Sequence, residues 1–131
     1  VLHPDQFRVN EAWIAFQLNR APIHTGTDGN FNCFALMDAA SCFILCSELI
    51  PVANAEPSKI EFRRLLKQAS AHKGKLPEKL FVPVSQYTTV LPTEAGRQGI
   101  AVVRASESEL AVFVEEARTG FEEYVSGRRM Q

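Results

Sequence analysis

The stretch FNCFALMDAASCFILCSELIPV, Phe31 to Val52, decides how this chain is read. Phe31–Met37 and Cys42–Val52 are apolar-rich runs of strand length, and the second ends at Pro51. Only Asp38-Ala39-Ala40-Ser41 joins them. Two strands with so short a connection form an antiparallel hairpin. A two-residue turn at Ala39-Ala40 sets Cys33 opposite Cys46 and Met37 opposite Cys42. Ala-Ala is nevertheless a poor sequence for the primed turns that tight hairpins prefer.

On the N-terminal side, Ala12–Leu18 reads Ala-Trp-Ile-Ala-Phe-Gln-Leu. As a strand it places Ile14, Phe16 and Leu18 on one face and Trp13, Ala15 and Gln17 on the other. Val1–Asn10 is a polar lead-in. Asn19–Asn30, with Pro22, Gly26 and the Asp28-Gly29 turn dipeptide, reads as a long polar loop.

On the C-terminal side the apolar period changes from two to about 3.6. Ser58-Lys-Ile-Glu61 has the capping-box form, with Pro57 at the entry. Ile60, Phe62, Leu65, Leu66 and Ala69 supply an apolar helix face, and Gly74 and Pro77 close the helix. Leu80–Val84 reads as a short buried strand in which Pro83 removes a ladder donor. Thr89–Gln98 is a short helix ended by Gly99, and Ile100–Val103 a further strand. Ser106 to Glu109 is a second capping box, opening a helix to about Val125 with Leu110, Phe113, Val114, Ala117, Phe121 and Tyr124 on one face.

The predicted order is therefore strand, strand, strand, helix, strand, helix, strand, helix. It implies an α/β fold with a five-stranded mixed sheet: three antiparallel strands, then strand–helix crossovers that make the later pairs parallel, with helices on both faces. With 131 residues, 46% apolar and 22% charged, the chain has the size and composition of one globular domain. It begins at Val1 rather than Met, and the sequence leaves open whether a longer polypeptide contains it. A net charge of −1 gives no overall field to gather nucleic acid or an anionic membrane. No apolar run is long enough to span a bilayer and no signal segment opens the chain, so no membrane role is expected. The sparse, odd set Cys33, Cys42 and Cys46 fits a reducing compartment, and the cytoplasm is the expected location.

This order of elements resembles the ribonuclease H-like fold. Phe34-Ala-Leu-Met-Asp-Ala-Ala-Ser41 also resembles the second-strand turn of integrases and transposases, and the likeness runs from about Ala12 to Val125. Enzymes of that fold hold two divalent metals, about 4 Å apart, on carboxylates from the first strand, the end of the fourth strand and a helix. In this sequence the first strand offers no acid, and the fourth ends Pro83-Val84-Ser85-Gln86, again without one. Glu61, Glu94 and Glu109 lie on helices, but a lone glutamate cannot hold two ions. The resemblance thus implies a non-catalytic domain without a metal site, an interaction or scaffold module whose partner is not named by the sequence.

Two alternatives stand beside it. If Phe31–Ser41 is the first core strand, Asp38 with a helical acid such as Glu61 forms a displaced site for Mg²⁺ or Mn²⁺ in a nuclease or transposase-like enzyme. As a turn residue, Asp38 instead bonds nearby backbone amides. The basic side of the first helix, Lys59, Arg63, Arg64 and Lys67, together with Arg128 and Arg129, makes a non-catalytic nucleic-acid contact the second alternative; a solvated helix face is the plain reading. Cys33 and Cys46 form a redox pair only in the register above, and buried, inert thiols are the expectation. His3, His24 and His72 lack zinc-site spacing. Trp13, Ile23 and Phe31 are either core or contact surface, with core favoured for Trp13 and Phe31.

Overall fold

The computed structural model describes residues 2–129, without the side chains of Arg128 and Arg129. A 3-10 turn at Pro4–Gln6 leads into β1 (Ala12–Gln17), β2 (Ile23–His24), β3 (Asn30–Asp38) and β4 (Ile44–Pro51). Then come α1 (Lys59–Ser70), β5 (Lys79–Pro83), α2 (Val90–Arg97), β6 (Ala101–Ala105) and α3 (Glu107–Arg129). Across the sheet the order is β4-β3-β1-β5-β6. β1 runs antiparallel to β3 and parallel to β5, and β5 is parallel to β6. The two-residue β2 pairs with the first residues of β3 on the edge that β4 leaves open. It is a sixth strand, inside the segment whose Pro and Gly content reads as loop.

Both faces of β1 are covered, as its alternation requires. Ile14, Phe16 and Leu18 pack with Phe81, Leu110, Phe113 and Val114, so α3 covers that side. Trp13 and Ala15 pack with Phe62, Leu65 and Leu66 of α1 and with Leu91 and Ala95 of α2. Trp13 is fully buried, the core reading for this residue, and Phe31 is half-buried. Pro83 is tolerated because it ends β5. The next amide, Val84 N–H, donates to Ala105 of β6. By strand alternation the proline nitrogen faces β1, beyond Phe81, the last residue that β1 pairs.

The hairpin register differs from the two-residue turn. Cys33 lies opposite Leu49, Leu36 opposite Cys46, and Met37 opposite Ile44, with a bulge between Leu36 and Met37. Two consecutive alanines resist the positive φ values that a type I′ turn demands at both positions. The loop lengthens instead: Cys42 N–H donates to the Asp38 carbonyl, and Cys42 alone takes φ 58°. β4 accordingly starts at Ile44 rather than Cys42. Cys33 and Cys46 fall on opposite faces of the sheet, which removes the redox pair.

Two helix positions also depart from the sequence pattern. Ile60 is 73% exposed, because the buried set Phe62, Leu65, Leu66 and Ala69 centres on the opposite side of α1. Tyr124, near the end of α3, is 60% exposed. Phe62→Ala is therefore expected to lower the unfolding free energy by about 3–5 kcal/mol. Ile60→Ala should change it by less than about 0.5 kcal/mol. Urea denaturation of both variants tests this face assignment, and an equal loss in both would refute it.

Candidate functional site

At the carboxyl ends of β1 and β5 the sheet opens into a cavity of about 750 Å³. Gln17 from the end of β1, Asn32 from β3, the 52–58 segment before α1 and the 85–90 segment before α2 line it. In open α/β sheets ligands bind in this position, because loops leave the strand ends uncovered there.

The lining is polar but carries little charge. Gln17, Asn32, Asn54 and Gln86 contribute amides; Ser58, Ser85, Thr88 and Thr89 contribute hydroxyls; Tyr87 contributes a phenol. Glu56 is the one carboxylate among them. It accepts from the Thr89, Val90 and Leu91 backbone N–H groups, at 3.1 Å for Thr89 and 3.0 Å for Leu91. The Thr89 side chain gives α2 no cap of its own, so Glu56 supplies it from 33 residues away. A carboxylate is well suited there, since the first-turn amides are unpaired and the helix dipole is positive.

Two arginines brace the rim from behind. Arg104 of β6 donates to the carbonyls of Pro83, Gln86 and Tyr87. These bonds hold the loop after β5 in a shape that includes Tyr87 at φ 53°, an uncommon conformation for a residue with a side chain. Arg118 of α3 donates from Nε to the Gln17 carbonyl at 2.9 Å and lies over the Phe16 ring. Its guanidinium is also 3.5 Å from Glu107 and 3.6 Å from Glu115.

The structure does not bring Asp38 and Glu61 together. Asp38 pairs with Trp13 near the start of β1, whereas the cavity sits at Gln17, about 13 Å along the strand. Asp38 is buried, and each oxygen has a donor: Asn10 N–H at 2.7 Å on Oδ1, and Ser41 N–H at 3.0 Å and Oγ–H at 2.6 Å on Oδ2. Asn10 in turn accepts from Trp13 Nε1 at 2.8 Å. Asp38 thus has the bonding of a turn residue that ties the chain before β1 to the β3–β4 loop. Glu61 closes the capping box by accepting from Ser58 N–H. Among the described residues no three of His, Cys, Asp and Glu are grouped to hold a metal ion.

The basic face of α1 is largely paired. Arg63 donates to Glu94 at 2.8 Å and Arg64 pairs with Glu48, while Lys59 and Lys67 remain exposed. The side chains of Arg128 and Arg129 lie outside the described residues. Hydrogen bonding from Arg63 holds Glu94 below the ordinary carboxylate range, against the desolvation of its site. His72, just beyond α1, places Nε2 3.0 Å from the Leu45 carbonyl. The thiols are quiet. Burial pushes Cys46 up to about 12 and raises Cys33 and Cys42 as well. Tyr87, Arg104, Arg118 and the capping role of Glu56 have no local sequence signal; each acts through a long-range contact.

No family model matches the sequence, and no curated protein matches it. Solved structures do match. The catalytic core domain of BIV integrase aligns at a TM-score of 0.59 and 10% identity, covering 92% of this chain and 72% of that one. A chain in the structure of the simian T-cell lymphotropic virus intasome in complex with PP2A regulatory subunit B56 gamma aligns at 0.58 and 13% identity, over 97% of this chain. This chain spans 43% of the length of that one. The fold is ribonuclease H-like. At these identities the likeness concerns the fold alone.

Two outcomes test the polar contacts. Removing the remote cap by Glu56→Ala should destabilise the protein by about 1 kcal/mol in urea unfolding. Glu94 has a depressed folded pKa, so its pairing with Arg63 stabilises the protein fully above the unfolded glutamate value of about 4.3. That contribution is lost as pH falls through the folded value. Glu94→Gln should therefore flatten the acid limb of a plot of stability against pH, and an unchanged limb would show that the pair does not carry it.

Proposed function

We propose that this chain is a non-catalytic ribonuclease H-like domain, one folded unit that serves as an interaction or scaffold module and meets its partner at the carboxyl-end cavity. One observation carries the reading. Where enzymes of the fold place acids, at the first strand and after the fourth, this chain presents Gln17 and Ser85-Gln86, and the one lining carboxylate caps α2.

The electrostatics run the same way. Two divalent ions need several carboxylates in one place. Amides offer oxygen without charge, and Arg104 and Arg118 add positive charge behind the rim. The displaced enzyme built on Asp38 and Glu61 has its two acids at separate places in the fold, each engaged in local bonds. Nucleic-acid contact through α1 is weakened because Arg63 and Arg64 already have carboxylate partners.

A protein partner is the favoured kind. No helix among the described residues is long and apolar enough to cross a membrane. The three unpaired thiols accord with the cytoplasm as the proposed compartment.

Calorimetric titration with Mn²⁺ tests the proposal. The expected result is no saturable binding up to millimolar metal. Introducing Gln17→Asp with Gln86→Asp should create measurable binding if these positions are the fold's metal positions. Saturable binding by the unaltered chain at one or two equivalents would overturn the non-catalytic reading.

A further inference from the structure

We propose that the carboxyl-end cavity binds the main chain of an extended, uncharged segment of a partner protein, with the Tyr87 hydroxyl and the Gln17, Asn54 and Gln86 amides pairing its peptide groups. This rests on the interaction-module reading above and gives that reading a ligand chemistry.

Charge narrows the ligand first. No lysine, arginine or histidine lines the cavity, and the guanidiniums of Arg104 and Arg118 behind the rim are held by backbone carbonyls, so an anion finds no counter-charge at the wall itself. A cation finds only Glu56, whose carboxylate the α2 amides already hold. The lining therefore suits a neutral group.

Ring stacking is closed off next. Tyr87 is the one aromatic residue of the cavity wall. It is 6% exposed, and its ring packs edge-on against Phe34 at 5.0 Å. A nucleobase or a sugar ring finds no open aromatic face to lie on. Recognition is left to hydrogen bonds.

The Tyr87 hydroxyl is the feature that asks for a ligand. The residue is more than nine-tenths buried and lines both the main cavity and a recess of about 30 Å³ beneath it. Its hydroxyl makes no hydrogen bond to a described residue, and because it is not among the fully buried unpartnered atoms it stays accessible to a ligand. Burial raises its pKa, so it stays a neutral donor throughout the physiological range. Around it stand the side-chain amides of Asn54 and Gln86, each offering a donor and an acceptor a short distance apart, and that of Gln17, whose Nε2 also donates to the Asn19 carbonyl at 2.8 Å. A peptide group presents the same pair in complementary order, and an extended segment repeats it. A volume near 750 Å³ has room for more than one such unit.

The experiment is a set of titrations of the ¹⁵N-labelled chain followed by NMR. The probes are N-acetyl-alanine N′-methylamide, the peptide acetyl-Ala-Ser-Ala-Ser-Ala-Ser-amide, uridine, sodium phosphate and MgCl₂. Both peptides should shift the side-chain amide signals of Gln17, Asn54 and Gln86, and the longer one should bind more tightly. Tyr87→Phe keeps the ring against Phe34 and should weaken peptide binding about fivefold, the loss of one neutral hydrogen bond, without lowering Tm. No shift with either peptide, equal affinity for the two lengths, or stronger shifts with uridine or phosphate would each overturn the proposal. Shifts of the cavity signals by Mg²⁺ would sink the non-catalytic reading instead, so the two failures are distinguishable.

Discussion

The fold depends on β1 being buried on both faces at once. Six residues, Ala12 to Gln17, hold β3 on one edge and β5 on the other, and their side chains meet α3 on one side and α1 and α2 on the other. A charge in the middle of such a strand is costly unless a counter-charge or a metal compensates it. Trp13, Ile14, Ala15 and Phe16 remove that demand. In this chain the strand is a plain hydrophobic axis with no charged side chain in it.

With the centre apolar, the polar interactions move to the two ends of the sheet. At the amino end of β1, Asp38 joins Asn10 and Ser41, and Asn10 takes the Trp13 indole, so a fully buried aromatic is anchored by a satisfied network. Asn10 stands at φ 67°, a conformation asparagine tolerates better than most residues. At the carboxyl end, Glu56, Arg104 and Arg118 each cross-link backbone segments far apart in sequence. These are charge-assisted bonds to main-chain groups, stronger than neutral ones and directional. They fix the cavity walls from behind, while Asn19 ties down two of the lining amides, accepting from Gln17 Nε2 and donating to Asn32 Oδ1.

The parts of the fold that were legible in the sequence were those governed by period and by local bonds. The alternation of Ala12–Leu18, the capping boxes at Ser58 and Ser106 and the apolar stripe of α3 through Phe121 needed no partner to be recognised. The hairpin register was not legible, because it turns on whether two alanines accept positive φ, and the chain answered with a longer loop and a bulge. β2 hid behind Pro22 and Gly26, since a two-residue strand has too little length for any period. Of the cavity, Gln17 and Ser85-Gln86 were readable as positions without acid. Glu56 and Tyr87 were not, because a remote cap and a buried hydroxyl are properties of the tertiary arrangement.

The charge pattern around the cavity follows from the same contacts. Uncompensated carboxylates at a strand end repel one another. Glu56 lies on the amides of α2, Glu94 on Arg63, and Glu107 and Glu115 on Arg118. Every acid near the carboxyl end that these contacts reach is already neutralised by a protein donor. An incoming cation must therefore displace an existing partner, whereas the Asn54 and Gln86 amides of the cavity wall carry no such charged partner. Under the proposed reading, the same contacts that stabilise the fold also set the chemistry that the cavity accepts.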